Sequence, residues 1–243
     1  MQVDFLHRHV LSDVQVLHRD LCHLLPPVLP ARHAQRAMNI GALITRLNTV
    51  TIAHGIRNEL TDIRRNETPL AERLRFSAEW IPEELRRKSR RNEDITVHWL
   101  INPQMRRLAF TQVSWTLMLF MYWGYVMHEL VHRYQYSKRD TDEFCRVYRP
   151  AAKESVNLRL HQEQLYLGEY DEIEAYARDI AFELLALYPH LTFRAAVQTM
   201  QQPEHMSTVL GSLVTYPIYR NAFSGTPDHP VMPVLYRKIR SWY

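Results

Sequence analysis

One segment of the chain combines residue types that can bind a metal and move a proton. It reads His128-Glu129-Leu130-Val131-His132, which is an HExxH motif. Two histidines four positions apart lie on the same face of a helix, so both imidazoles can bind one Zn²⁺ ion. The glutamate between them would then face the water that the metal activates and accept its proton. The spacing predicts metal-assisted hydrolysis with Glu129 as general base; two buried, hydrogen-bonded core histidines are the alternative.

A catalytic zinc site needs a third protein ligand in addition to the two histidines. The extended motif HExxHxxGxxH would require glycine at position 135 and histidine at position 138, but the chain has Gln135 and Lys138. That extended motif is therefore excluded. A glutamate on a later helix is the other common third ligand, and residues 170–181 are predicted to form such a helix.

Helical phase selects Glu174 as the third ligand. When each residue adds about 100°, one apolar stripe lies within about 60° of Ala177. It contains Ile173, Ile180, Ala181, Leu184 and Tyr188. Glu174 lies at the edge of this stripe and is predicted to be buried, whereas the other acidic residues are predicted to face solvent, namely Glu172, Asp179 and Glu183. A buried carboxylate normally has a partner, which would be Zn²⁺ or an arginine in the core.

Further residues are candidates for roles in the same site. His161 is an alternative third ligand, although nothing around it in the sequence indicates burial. The oxyanion of a tetrahedral intermediate also needs a stabilising group. Five side chains are candidates for that role, and the sequence does not separate them: Tyr166, Tyr170, Tyr176, Tyr216 and His190.

The elements before the motif would position it. Residues 95–101 are rich in β-branched and aromatic side chains and predict a strand, with residues 105–112 as its hairpin partner. Residues 113–136 predict a long helix that is apolar on all sides over 117–123 and therefore buried. If residues 95–101 form an edge strand, a peptide could bind there by adding a strand.

The N-terminal part is predicted to be helical. Apolar residues recur at three- and four-residue steps over 4–25, and Pro26-Pro27 ends that helix. Three further helices are predicted in this part: one over 31–65 with a break near 48–51 as an alternative, one from Thr68-Pro69, and one after Ile81-Pro82.

Composition limits the classes of protein to which the chain can belong. Of its 243 residues, 46% are hydrophobic and 23% are charged, which is typical of a globular protein and excludes a disordered chain. Two cysteines are too few for a disulfide framework and favour a reduced compartment, so a cytoplasmic location is expected. No secretory signal is visible, and the longest apolar stretch, 113–127, is too short to span a membrane.

Basic charge is concentrated in one short run, Arg86-Arg87-Lys88-Ser89-Arg90-Arg91. Such a run can contact phosphates. It contains no aromatic residue of the kind that a groove for single strands needs, and a solvated helix end is the simpler interpretation. Nucleic acid is therefore not a favoured partner, and an accessory contact through this run stays an alternative.

The motif and the predicted ligand helix together resemble the gluzincin class of zinc metallopeptidases. The stretch from Tyr170 is similar to the third-ligand helix of the ImmA/IrrE-like peptidases. Two further segments resemble a group of phage-encoded predicted metallopeptidases: Arg133-Tyr134-Gln135-Tyr136 and Val234-Leu235-Tyr236-Arg237-Lys238-Ile239-Arg240. The resemblance covers residues 93–243. It departs from thermolysin-like enzymes at Arg178, where those enzymes have an aspartate that orients a metal histidine.

The sequence and the resemblance together predict an α+β fold, mainly helical. Residues 1–92 would form a helical extension, and residues 93–243 a zincin-like core with a small sheet, a buried HExxH helix and C-terminal helices. The expected function is zinc-dependent hydrolysis of a peptide or protein substrate, with Zn²⁺ held by His128, His132 and Glu174. The alternative is a phage virion protein that binds other phage structural proteins and retains zinc without turnover. A phage-encoded enzyme would act in the host cytoplasm.

Overall fold

The computed structural model of the chain describes residues 36–62, 74–81, 95–102, 107–110, 112–137, 158–202, 215–223 and 229–243. The chain divides into two compact units, Met1–Tyr136 and Ser137–Tyr243. The predicted class, α+β and mainly helical, is confirmed. The first stretch of elements is β1 (Arg36–Asn39), α1 (Ile40–Thr51), β2 (Ile56–Asp62), β3 (Leu74–Glu79), β4 (Ile95–Ile101), β5 (Arg107–Phe110) and α2 (Gln112–Ser137).

The described strands of the first unit form two small sheets. β1 pairs antiparallel with β5, and Met38 lies opposite Leu108. The second sheet has the order β2-β4-β3, with β2 parallel and β3 antiparallel to β4. The predicted strand over 95–101 is thus confirmed as β4, but it is a central strand and not an edge. The predicted hairpin pairing is also wrong, because β5 pairs with β1 and not with β4.

Local chemistry fixes both ends of α1. Asn39 Oδ1 accepts a hydrogen bond of 3.1 Å from the Ala42 amide, which satisfies one of the free amides of the first turn. A 3-10 turn follows α1 and ends at Gly55, whose φ of 68° lies in the left-handed region that favours glycine. The Gly55 carbonyl accepts a bond of 2.8 Å from the Ile95 amide. This turn therefore leads the chain directly into the pairing of β2 with β4.

The core of the first unit involves α1, the three-stranded sheet and one face of α2. In β4 alternate residues are fully buried, as expected for a strand that packs one face against a helix. α2 contributes Met118, Tyr122, Val126, Met127 and Leu130 to this core. Met121 and Trp123 are only half-buried, and Tyr125 is 39% exposed. Among the described residues of the predicted buried stretch 117–123, burial is therefore complete for Met118 and Tyr122 and partial for the others.

A buried asparagine joins α1 to the sheet. The Asn58 side chain is 2% exposed and donates to Thr51 Oγ1 at 2.9 Å, while its Oδ1 accepts from Trp99 Nε1 at 3.0 Å. The Asn48 side chain bonds both backbone groups of Asn58, at 2.8 Å to the amide and 2.9 Å to the carbonyl. These bonds satisfy the buried amide, which would otherwise oppose folding.

The described part of the second unit consists of helices. They are α3 (Leu158–Leu167), α4 (Tyr170–Leu187), α5 (Phe193–Met200), α6 (Thr215–Phe223) and α7 (Val231–Trp242). α4 is the central helix, since it packs against α3, α6 and α7. Four consecutive residues from Glu172 to Ala175 are buried, which requires packing on more than one side.

Several predictions for the N-terminal part are wrong. The helix predicted over 31–65 is limited to α1, because β1 precedes it and β2 follows it. β3 occupies part of the helix predicted from Thr68-Pro69. Three further predictions lie outside the described residues: the helix over 4–25, the basic run 86–91 and the domain boundary near residue 92. Strands from both sides of residue 92 pair in one sheet. Within the described ranges, no helix is long and apolar enough to cross a membrane.

Candidate metal centre

The two histidines of the HExxH motif face one another on α2. His128 Nε2 and His132 Nε2 are 3.1 Å apart, and the ring planes are inclined by 76°. Two imidazole nitrogens that bind one zinc ion at about 2.0–2.1 Å lie about 3.3 Å apart at a tetrahedral angle. The pair is therefore already close to the spacing that a shared ion requires.

Gln135 fixes the orientation of the second histidine. It is 7% exposed and lies one helical turn after His132, and its Oε1 is 3.0 Å from His132 Nδ1. An amide oxygen can only accept, so Nδ1 carries the proton and Nε2 keeps its lone pair. That lone pair points towards His128 Nε2, where a proton or a cation must separate the two nitrogens. Hydrogen bonds of this kind also orient histidines that bind metals.

Glu129 lies on the flank of the same helical face. It directly follows His128 and is about 60° from His132 around the helix axis. The side chain is half-buried.

The acidic residues of α4 differ from the predicted pattern. Glu174 is buried as predicted, at 4% exposed, but Glu172 and Glu183 are also buried although both are predicted to face solvent. Asp179 is half-buried. The Glu183 carboxylate accepts hydrogen bonds from the amide and hydroxyl of Thr215, so it caps the first turn of α6.

Three donors could hold one metal ion: His128, His132 and Glu172 each offer one ligand atom. The group contains Glu172 and not Glu174. Two imidazoles and one carboxylate are a common donor set for catalytic zinc. The predicted assignment of Glu174 as the third ligand stays a prediction.

Glu174 has a different partner within the second unit. Its Oε1 lies 3.1 Å from Lys238 Nζ on α7, and both side chains are largely buried. The same ammonium group lies 4.5 Å from the centre of the Tyr170 ring. The carboxylate expected to bind either metal or a core arginine thus forms an ion pair with a lysine.

Two tyrosines of the second unit lie near Glu172, namely Tyr166 on α3 and Tyr219 on α6. The Tyr176 ring lies 6.4 Å from the Tyr166 ring and 5.5 Å from the Tyr219 ring, in edge contacts. Burial and the negative charge of Glu172 raise the pKa of both Tyr166 and Tyr219 well above the usual value, so both hydroxyls keep their protons.

Arg178 does not replace the aspartate that orients a metal histidine in thermolysin-like enzymes. Its guanidinium bonds Asp179 Oδ1 at 3.2 Å and lies 4.9 Å from the centre of the Phe182 ring. Burial lowers the pKa of Arg178, and the Asp179 carboxylate opposes that shift. A guanidinium only donates, so it cannot accept a proton from an imidazole N–H. Gln135 supplies that acceptor for His132 instead.

The other predicted candidates occupy different places in the second unit. His161 is half-buried on α3, and His190 is exposed in the segment between α4 and α5. Tyr216 on α6 is buried, and its hydroxyl lies 2.8 Å from that of Tyr236. Tyr170 contacts Lys238. Among the predicted candidates, Tyr166 lies near Glu172, and its ring contacts the Tyr176 ring.

No known protein family, curated protein or solved structure matches this chain. The resemblance to gluzincin peptidases thus stays a prediction. Function must be inferred from the residues of the candidate site and not from a relative.

Proposed function

We propose that the protein is a zinc-dependent metallopeptidase in which His128, His132 and Glu172 hold Zn²⁺ and Glu129 is the general base. The observation that carries the proposal is the histidine pair, with two Nε2 atoms 3.1 Å apart and one ring oriented by Gln135. Glu172 is preferred to Glu174 because it belongs to the group of donors that could hold an ion. Glu174 is already paired with Lys238.

The donor set supports zinc as the metal. Imidazole nitrogens suit Zn²⁺ and other transition metals, whereas Ca²⁺ and Mg²⁺ prefer sites made of oxygen ligands. Three protein ligands also leave the fourth position of a tetrahedral site available for water or substrate, as catalysis requires.

The proposed chemistry assigns separate roles to the residues. Bound zinc supplies the Lewis acidity that activates water for attack on a peptide carbonyl. Glu129 takes a proton from this water and later gives it to the leaving amine. Gln135 keeps His132 in the tautomer that can bind the metal.

The proposal is tested by metal content and by a matched pair of proteins. Purified protein from a zinc-replete preparation is expected to contain about one zinc per chain. Wild type and Glu129→Gln are then incubated with a mixed peptide library at equal zinc content, and cleavage is followed by mass spectrometry. Glu129→Gln is expected to retain zinc and to cleave about 10²–10⁴-fold more slowly, because it loses the general base.

The outcomes separate the enzyme from its rival. Metal-free wild type with an intact fold would overturn the site. Equal cleavage by both proteins would overturn the role of Glu129. Stoichiometric zinc without cleavage of peptides or candidate phage proteins would favour a virion protein that keeps zinc without turnover.

A further inference from the structure

Two helices of the second unit, α5 and α7, lie side by side and run in opposite directions. At the start of α5, the Phe193 ring lies 5.6 Å from the Tyr243 ring, and the Tyr243 hydroxyl donates to the Leu191 carbonyl at 2.6 Å. At the other end of α5, Gln201 Nε2 donates to the Tyr236 hydroxyl at 3.2 Å. The end of α7 thus meets the start of α5, and this line of contact is the α5–α7 seam.

Exposed arginines follow the outer edge of the α5–α7 seam. At about 100° per residue, Arg194 lies about 20° from Gln201 around α5, on the side that contacts α7. On α7, Arg240 lies about 40° from Tyr236 and about 60° from Tyr243, both of which contact α5 or its flanks. Both arginines are exposed. The two guanidinium groups therefore border the same seam, one from each helix.

A third arginine lies at the opposite end of the seam. Arg220 on α6 donates from Nη1 to the Gln201 carbonyl at 3.5 Å, which places it at the end of α5. The described residues of α5, α6 and α7 include neither aspartate nor glutamate. Lys238 points away from the seam, since it pairs with Glu174 of α4. The charged side chains that the described part of the chain brings to this seam are therefore positive.

The dimensions and chemistry of the seam suit the phosphates of a nucleic acid. The residues from Tyr236 to Tyr243 span about 10 Å at 1.5 Å each, and phosphates of one strand of a duplex are about 3.4 Å apart along its axis. About three phosphates thus match the length over which the three arginines are placed. A guanidinium binds phosphate through two parallel hydrogen bonds, and tyrosine and glutamine side chains also bond phosphate oxygens.

The two tyrosines of the seam favour contact with the backbone over stacking with bases. The Tyr243 ring packs against Phe193, and the Tyr236 ring packs against Tyr216, with centres 6.4 Å apart. Single strands are usually bound by aromatic rings on which the bases stack. Rings that already pack against other rings of the protein are poor platforms for this purpose. A duplex, which presents its phosphates and keeps its bases paired, is the better match.

We propose that the α5–α7 seam, with Arg194, Arg220 and Arg240, binds the phosphate backbone of duplex nucleic acid without preference for sequence. The site lies within the second unit and does not depend on the proposed metal centre. An acidic protein segment is the competing partner, since it also carries negative charge. It lacks the planar, multiply accepting phosphate groups that arginine binds best.

The test measures binding of the full chain to a labelled DNA duplex of mixed sequence by fluorescence anisotropy over a range of salt concentrations. Each phosphate contact contributes about −0.9 to the slope of log K against log salt, so three contacts predict a slope of about −3 for wild type. Arg194→Gln/Arg240→Gln is expected to reduce the magnitude of this slope by about 2 and to bind about 10-fold more weakly at low salt. Both arginines are exposed, so the urea unfolding curve is expected to stay as in wild type.

Two control variants separate this seam from a general effect of charge. Arg46→Gln/Arg107→Gln removes two exposed arginines of the first unit and changes the net charge equally. It is expected to bind DNA with the slope and affinity of wild type. In the second control, glutamine replaces the basic residues of the run 86–91, and the magnitude of its slope is expected to remain above that of Arg194→Gln/Arg240→Gln.

Each outcome supports or overturns the proposal. Loss of DNA binding in Arg194→Gln/Arg240→Gln but not in Arg46→Gln/Arg107→Gln supports it, and the result is expected to be the same after zinc is removed with a chelator. Wild type that does not bind the duplex overturns it, as do equal losses in both double variants or loss only in the variant of run 86–91. Tighter binding of polyglutamate than of DNA would overturn the nucleic acid and identify an acidic protein segment as the partner. None of these results depends on whether the protein is a metallopeptidase.

Discussion

At the scale of single residues, Gln135 has the clearest role that the sequence did not reveal. In the sequence it only excludes the extended motif, because it stands where that motif needs glycine. In the folded chain its buried amide oxygen accepts the proton of His132 Nδ1 at 3.0 Å. Gln135→Leu removes this acceptor at similar size and is expected to lower zinc affinity about 10–100-fold. Chelator competition measures the change.

The conservative variant at the same position provides the control. Gln135→Glu keeps an acceptor oxygen at the end of a side chain of equal length, so its zinc affinity is expected to stay near that of wild type. If Gln135→Leu binds zinc as tightly as wild type, the hydrogen bond does not orient a metal ligand.

The two buried glutamates of α4 are expected to differ in their effect on metal binding. Glu172 belongs to the group that could hold an ion, whereas Glu174 pairs with Lys238 at 3.1 Å. Glu172→Gln is expected to lower zinc affinity by at least 10-fold, because a neutral amide is a poorer ligand than a carboxylate. Glu174→Gln is expected to leave it within about threefold. Chelator titration of both variants measures the two zinc affinities. A larger loss in Glu174→Gln than in Glu172→Gln would support Glu174 as the third ligand, as helical phase predicts.

At the scale of elements, the strongest patterns were the ones that the sequence predicts correctly. β4 and α2 are long, apolar and continuous, and their predicted bounds differ from the observed ones by one residue at most. β2 was missed because its sequence, IRNELTD, is mostly polar and contains good helix formers. It is a strand because it pairs along its whole length with β4 and because Asn58 is held by Asn48, and neither contact is visible in a local pattern.

The phase error in α4 has a related cause. A helix that packs on one side has a single apolar stripe, and the prediction assumed such a stripe. α4 packs against α3, α6 and α7, so carboxylates outside the stripe are also buried. Glu183 caps the first turn of α6, and Glu172 lies near Tyr166 of α3 and Tyr219 of α6. The sequence predicted the helix and the burial of Glu174, but not the burial of Glu172 and Glu183.

The link between α1 and the sheet is expected to depend on Asn58. Asn58→Ala leaves Trp99 Nε1 and the Thr51 hydroxyl without their buried partner, and each lost partner costs about 1–3 kcal/mol. The free energy of unfolding is expected to fall by about 3 kcal/mol, measured by urea titration. Glu59→Ala changes the exposed neighbour in β2 and is expected to change it by less than about 0.5 kcal/mol. Similar losses in both variants would exclude a special role for the buried amide.

The packing of α7 on α4 includes an ion pair that a double-mutant cycle can isolate. Lys238→Met leaves the Glu174 carboxylate buried without its counter-charge and is expected to lower the free energy of unfolding by about 3 kcal/mol. Adding Glu174→Gln removes the buried charge and is expected to restore much of that loss. Urea titration of both single variants and the double variant gives the coupling free energy between Lys238 and Glu174. Additive effects would mean that the two side chains do not interact.

At the scale of the whole molecule, the proposed metal would connect residues that are distant in the sequence. In the proposed site, two ligands would come from the HExxH motif of α2 and the third from α4. A ligand that binds only the folded chain stabilises it by mass action, and the effect is lost when any ligand is removed. Zinc is therefore expected to influence unfolding as well as catalysis, and this influence can be measured without knowing the substrate.

Thermal unfolding with and without zinc tests that consequence directly. At a free zinc concentration 100-fold above Kd, binding adds about 2.7 kcal/mol to the free energy of unfolding. For a chain of this size such a gain raises Tm by about 5–10 °C. Calorimetry is expected to detect this rise in wild type and in Glu129→Gln, which keeps all three proposed ligands. It is expected to be absent in His128→Ala and His132→Ala, and Mg²⁺ is expected not to replace zinc because two of the donors are imidazoles. If zinc still raises the Tm of His132→Ala, the metal binds elsewhere on the chain. If zinc no longer raises the Tm of either histidine variant but still raises that of Glu172→Gln, the two histidines are ligands and another residue is the third ligand.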